Sequence, residues 1–294
     1  MRAFRYDTRG SWFKGNTHIH STASDGGKTF AEIARLYAGA GYDFLFRTDH
    51  WVCADATADP ARYPLLWLDG IELDGTDATG AGFHVACLGT VRNLSREDGL
   101  LAGMAAARAQ GALLILAHPH WTGNTQDDAV RIQCDAVEVY NDVCRWMNGK
   151  GDGSVYWTAM LARNPDTLGF AADDAHLRPD HPGWNGGWIM VNAAALTRDA
   201  LLAAIHRGNF YSSCGPEIHA IESDGTAVHV HTSPARTMRL VGPAWNWQRA
   251  GDLEGPLMTE ATLPLPLDWP YVWLEVEDAQ GRRAWTNPLF SQNR

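Results

Sequence analysis

Gly15-Asn16-Thr17-His18-Ile19-His20-Ser21, with Asp25-Gly26 close behind, is the stretch from which the fold can be read. Side chains alternate faces along an extended segment, so His18 and His20 point the same way. At a strand end this puts two imidazoles within reach of one metal ion. Alone, the pair is no more than the polar face of a strand, because short motifs recur by chance. Its meaning depends on what the rest of the chain sets beside it.

Working outward, apolar residues at Phe30, Ile33, Ala34 and Tyr37 have helical spacing. Thr29 is placed to cap that helix and Gly39-Ala40-Gly41 to stop it. Strands are predicted over Tyr42 to Thr48, Leu66 to Glu72, Phe83 to Gly89, Ala112 to Ala117, Asp135 to Tyr140, Leu168 to Ala172 and Trp188 to Ala193. Helices are predicted over Ser95 to Gln110, Ser154 to Arg163 and Arg198 to Arg207. This alternation argues for an α/β protein with a parallel sheet of the kind that can close as a barrel. After about Gly215-Pro216 no helical spacing is left, and alternating stretches bounded by Gly, Pro and Asp predict β structure. The expected organisation is a barrel over residues 1–216 and a small all-β domain over 217–294. His229 and His231 repeat the His-x-His pattern there without carboxylate neighbours, and are read as the polar face of a half-exposed strand.

His18, His20, Asp25, His50, Glu72, His84, His118, Asp174 and His176 each follow or border one of the apolar strands. A barrel of this kind would aim them at one mouth. Imidazole and carboxylate without thiolate suit zinc, manganese or iron, and so many ligands exceed the needs of one tetrahedral ion. Two or three divalent ions are therefore expected, with Glu72 as the candidate bridge.

The order of these residues resembles the PHP (polymerase and histidinol phosphatase) family of metal-dependent hydrolases. The resemblance rests on His-Ile-His followed by Ser-Asp-Gly, Thr-Asp-His at 48–50, Gly-Ile-Glu at 70–72, His84, Ala-His-Pro at 117–119 and Asp-Ala-His at 174–176. It implies a distorted (β/α)7 barrel with a metal cluster at the strand C-termini. It also implies a first ion held by His18, His20, Glu72 and Asp174, a second by Glu72, His84 and His118, and a third by Asp25, His50 and His176. Some relatives have His where Asp25 stands. The tail around Phe210 to Glu217 looks like the phosphoesterase-like and carbamate-hydrolase-like branch.

Composition narrows the function. With a formal charge of −10 and lysines only at 14, 28 and 150, the surface should repel nucleic-acid backbones. The first twenty residues carry no apolar leader core and no apolar run reaches membrane-spanning length, so a cytoplasmic protein acting on a small molecule is expected. Five scattered cysteines read as reduced thiols. Metal-activated hydroxide is expected to attack a small phosphate ester, either mono- or diester. A carbamate, amide or carboxylic ester with an aromatic leaving group is the alternative, and a non-catalytic metal-binding module the third. His120 is the candidate proton donor to the leaving group. Arg47, Trp51 and Trp121 are the candidate substrate contacts, with Trp184 also near the polar motifs. Asp173 either orients a ligand imidazole or is solvated.

Overall fold

The computed structural model describes residues 3–59, 61–266 and 268–292. The first half contains β1 (Ala3–Phe4), β2 (Ser11–Asn16), α1 (Phe30–Gly39), β3 (Phe44–Arg47), β4 (Leu66–Thr76), β5 (Gly82–Leu88), α2 (Leu100–Ala109) and β6 (Leu113–Leu116). Next come α3 (Pro119–Thr122), α4 (Gln126–Arg131), β7 (Ala136–Asn141), α5 (Asp142–Asn148), α6 (Ser154–Leu161), β8 (Leu168–Ala172), β9 (Trp188–Ala193), α7 (Arg198–Arg207) and β10 (Phe210–Ser213). The remainder is β: β11 (Ile218–Ser223), β12 (Ala227–Ala235), β13 (Thr237–Val241), β14 (Trp247–Gly251), β15 (Met258–Pro264), β16 (Trp273–Glu277), β17 (Arg283–Thr286) and β18 (Phe290–Ser291).

Local chemistry explains the boundaries. Thr29 and Glu32 form a reciprocal cap on α1, whose buried face is Phe30, Ile33, Ala34 and Tyr37. The helix expected from Ser95 starts only at Leu100. Gly99 takes φ +76°, a left-handed conformation that ends the short 3₁₀ turn before it. The sequence reading missed α5 because it follows β7 without a loop; the Asn141 side chain caps it by accepting from the Cys144 N–H at 3.0 Å.

Thirteen strands form one mixed sheet in the order β14-β13-β16-β17-β10-β9-β2-β3-β4-β5-β6-β7-β8. Pairs β2–β3, β3–β4, β6–β7 and β7–β8 are parallel. The expectation of a parallel sheet fails at β4–β5, β5–β6 and β2–β9, which are antiparallel. The link between β4 and β5 is too short for a crossover, and Asp77 folds it back by accepting from the N–H groups of Thr79 and Ala81. The sheet curls so that Ser212 on β10 reaches β8: its Oγ donates to the Gly169 carbonyl at 2.9 Å and accepts from the Ala171 N–H at 2.8 Å. Among the described residues no backbone ladder closes the ring there, so the structure is a curled mixed sheet where a (β/α)7 barrel was expected.

Every described element after residue 217 is a strand. Strands β11, β12 and β15 make a separate antiparallel sheet, while β13, β14, β16 and β17 extend the large sheet through the β10–β17 pairing of Ser212 with Trp285. His229 and His231 lie on the exposed face of β12, alternating with buried Val228 and Val230. No helix of the described residues is long and apolar enough to cross a membrane.

Candidate metal centre

Residues just past the C-terminal ends of β2, β3, β6 and β8 gather at one edge of the sheet. His18 and His20 follow β2, His50 follows β3, His118 follows β6, and Asp174 and His176 follow β8. Glu72 lies within β4. His84 joins them because β5 runs the other way, which brings its start to the same edge; in register it faces Asp74. Two backbone bonds splice the loops after β2 and β8: the Asp174 N–H donates to the His18 carbonyl at 2.9 Å and the His20 N–H to the Ala175 carbonyl at 3.0 Å. His118 (φ +28°) and Asp174 (φ +57°) hold left-handed backbone that non-glycine residues seldom adopt, a strain that packed surroundings must sustain.

The nine ligand candidates fall into four overlapping groups, each with donor atoms within 4.8 Å of one another: His18–His20–Asp174, His18–Glu72–His118, His50–Glu72–His84 and His20–Asp25–His50–His176. The implied first set appears without Glu72, and the third appears with His20 added. The implied second set is divided, since Glu72 pairs with His118 in one group and with His84 in another. Glu72 is central. Its Oε2 lies 3.2–3.3 Å from His18 Nε2, His20 Nε2 and His50 Nδ1, and its Oε1 is 2.9 Å from His84 Nδ1 and 3.5 Å from His118 Nε2.

Hydrogen-bond geometry tests whether these residues fit a metal. His18 Nε2, both ring nitrogens of His20, His50 Nδ1 and Glu72 Oε2 are buried and, among the described residues, have no hydrogen-bond partner. Buried polar atoms are nearly always paired, and one left alone costs about 1–3 kcal/mol. Here several stand close together without pairing, as donor atoms do when they converge on cations. The outer ring nitrogens are spoken for. His18 Nδ1 donates to Glu138 Oε1 at 2.7 Å, His176 Nδ1 to the Asp174 carbonyl at 2.9 Å, and His118 Nδ1 lies 3.1 Å from Thr122 Oγ1. Such partners fix ring orientation and leave Nε2 free to ligate. Without metal, burial disfavours the charged imidazoles, but the neighbouring carboxylates outweigh it: His18 is held well above its ordinary value and His20 is pushed up to about 9. Burial would raise Glu72 and Asp174, but the imidazoles dominate and hold both low. The donor set fits divalent ions.

The sequence reading missed Glu138. It is buried on β7 and also accepts from the His118 N–H at 2.9 Å and from Asn141 Nδ2 at 2.8 Å, so one carboxylate aligns two ligand loops. A lone acid in the apolar run of β7 was its signal, because a charge is buried there only with partners. Asp173 neither orients an imidazole nor meets solvent. It accepts from Tyr37 Oη at 2.7 Å, Asn16 Nδ2 at 2.8 Å and the N–H groups of Asn185, Gly186 and Gly187, pinning the loop before β9. Burial pushes its carboxyl up to about 6 despite these donors.

A cavity of about 170 Å³ opens over the ligands, and Trp121, Val143, Cys144, Met147, Arg178 and His181 complete its wall. Of the residues expected to contact substrate, only Trp121 lines it, with its ring edge-on to His118 at 5.2 Å and to His84 at 6.1 Å. Arg47 is turned to Asp49, 2.8 Å from its Oδ2. Trp51 donates from Nε1 to the Asp74 carbonyl at 3.2 Å and packs over Gly103. Trp184 packs edge-on to Tyr37. His120, the candidate proton donor, is exposed on α3 with its ring 6.4 Å from Tyr156 and is not in the cavity wall. On a short helix, His118 and His120 point different ways, where an extended segment would have aligned them. A larger groove of about 690 Å³ beside Arg5, Arg108 and Arg207 lies at the opposite ends of the strands and contains none of the ligands.

Curled mixed sheet, spliced loops and histidine–carboxylate cluster together define a PHP-like fold, in agreement with the motif resemblance. A two-domain protein from Bacteroides vulgatus, described as containing a predicted PHP-like metal-dependent phosphoesterase, matches over 95% of this chain and 96% of its own, with TM-score 0.53 and 13% identity. An inferred metal-dependent phosphoesterase from Bifidobacterium adolescentis matches over 66% of this chain and 96% of its own, with TM-score 0.45 and 14% identity. An amidohydrolase from Chromobacterium violaceum matches over 58% and 57%, with TM-score 0.24 and 20% identity. No known family model and no curated protein matches the sequence.

Proposed function

We propose that this protein is a metal-dependent hydrolase of small phosphate esters. The observation that carries the reading is the convergence of orphaned, buried donor atoms at and beneath a cavity whose wall includes a guanidinium, Arg178. Divalent ions bound there would supply acidified water and Lewis-acid stabilisation of charge on the ester. His18, His20, Glu72 and Asp174 would hold one ion, Glu72 with His84 and His118 another, and Asp25, His50 and His176 a third. Zinc, manganese and iron all suit such ligands. The protein's own residues set the geometry: Glu138 holds His18 and the His118 loop, and Thr122 holds the His118 ring. The cavity wall excludes bulk water from one side of the site.

Arg178 tips the choice toward phosphate, because guanidinium and phosphate oxygens form paired charge-assisted hydrogen bonds. The carbamate, amide or carboxylic ester alternative drew on several tryptophans at the mouth, and only Trp121 is there. The test is a hydrolysis screen of the manganese- or zinc-loaded protein with p-nitrophenyl phosphate, bis-p-nitrophenyl phosphate, p-nitrophenyl acetate and an aryl carbamate. Turnover of a phosphate ester well above the acetate and carbamate is expected. Turnover confined to the acetate or carbamate would overturn the reading.

A further inference from the structure

The cavity over the ligands is chemically two-sided. Arg178 and His181 lie at one end. Each donates its backbone N–H to the other's carbonyl, at 3.2 and 3.0 Å, closing a turn around Pro179 and Asp180. Residues directly opposed in such a pair carry their side chains on the same face. The His181 ring packs edge-on to His176 at 5.4 Å, and Arg178 Nη1 lies 3.4 Å from the Asp25 carbonyl, so the pair borders the His20–Asp25–His50–His176 group. Trp121 lies at the other end of the chain of ring contacts that runs from His176 through His20 and His18 to His118. Met147 and Val143, from α5, add aliphatic surface to the wall.

Both polar residues have capacity to spare. His181 Nδ1 is buried and has no hydrogen-bond partner among the described residues, an orphan of the same kind as the ligand atoms. The fork of Arg178 meets Asp180 at 3.2 Å, a carboxylate 68% exposed and so a pairing of little strength, and reaches the Asp25 carbonyl only at a long 3.4 Å. A doubly charged phosphoryl group is a stronger acceptor than this solvated carboxylate. The cavity, about 170 Å³, is smaller than the roughly 300–1,000 Å³ typical of sites that enclose a whole drug-sized ligand. It has room for a phosphoryl group with a small part of its ester. The remainder must lie at the rim, where Trp121 is 36% and Met147 37% exposed.

The geometry points to a phosphate monoester of an apolar, preferably aryl, alcohol as the substrate class, with Arg178 and His181 gripping the phosphoryl oxygens and Trp121 and Met147 receiving the organic part. This assignment rests on the phosphate-ester reading above and adds which residues set the specificity. Neither Arg178 nor His181 belongs to the ligand set.

Phosphate release from phenyl phosphate and from glycerol 2-phosphate, measured on manganese-loaded wild type, R178Q, R178K and M147A, provides the test. R178Q is expected to raise KM for both esters roughly tenfold or more, with R178K between it and wild type because the charge stays and the fork is lost. M147A is expected to lower the preference for phenyl phosphate over glycerol 2-phosphate about threefold. Metal content and circular dichroism confirm that each variant is folded; if R178Q loses metal, R178K decides. An active wild type whose KM is unchanged in the folded, metal-loaded arginine variants overturns the assignment. An unchanged ester preference in M147A overturns its apolar half. A metal-loaded wild type inert toward both esters, yet active on p-nitrophenyl acetate, overturns the phosphate-ester reading instead.

Discussion

Glu72→Gln is expected to cut turnover of any substrate by about a hundredfold or more while leaving the fold intact. Glu72 alone approaches five imidazoles, those of His18, His20, His50, His84 and His118, at 2.9–3.5 Å. A carboxylate there spreads negative charge over two oxygens and can serve two ions. An amide of the same shape offers one neutral oxygen and turns an NH₂ group toward ring nitrogens that should be ligands. Volume and packing are preserved, so the circular dichroism spectrum of the folded variant should match that of wild type. Steady-state kinetics alongside metal analysis checks this. Unchanged kcat with full metal content would place Glu72 outside the reacting centre.

Removing metal should lower the melting temperature by about 10 °C at neutral pH. An ion present at a thousand times its dissociation constant stabilises the folded state by about 4 kcal/mol, and for a domain of this size each kcal/mol is worth about 2–4 °C. The stabilisation depends on pH with a definite sign. In metal-free protein, burial opposes charge on His20, but Asp174 and Glu72 outweigh it and raise the imidazole to about 9. That pairing stabilises the fold fully below the unfolded value of about 6.5 and is lost as pH rises through about 9. Metal binding has the opposite dependence, because the ligands must shed their protons. The gap between metal-loaded and metal-free melting temperatures should therefore widen from pH 6 to pH 9. Paired thermal melts with and without chelator across that range test it. A gap that narrows toward pH 9 would show that the imidazoles do not ligate.

The ligands were legible in the sequence because they are polar residues at the ends of apolar strands, and no core-packing demand explains a histidine there. Glu72 and His84 could be placed by order alone. The antiparallel turn of β5 that makes His84 converge could not, since apolar runs do not encode strand direction. The helices with clear periodicity and caps, α1 and α7, appeared where expected. The short α5, entered straight from β7 through the Asn141 cap, gave no periodic signal. The substrate wall was read poorly. Trp51 and Trp184 have partners that lie far away in sequence and Arg47 turns to the neighbouring Asp49, whereas Arg178 and His181 are joined by a tight turn that looks like ordinary loop. Glu138 was within reach of sequence reasoning, because an acid in a buried strand always needs a reason.

The central claim is that these residues form one multi-ion centre. Elemental analysis of protein purified without chelator and then equilibrated with manganese or zinc tests it most directly. At least two ions per chain are expected, still two in a His229→Ala, His231→Ala double variant and fewer in Glu72→Gln. One ion or none per chain in the metal-replete wild type would contradict the account.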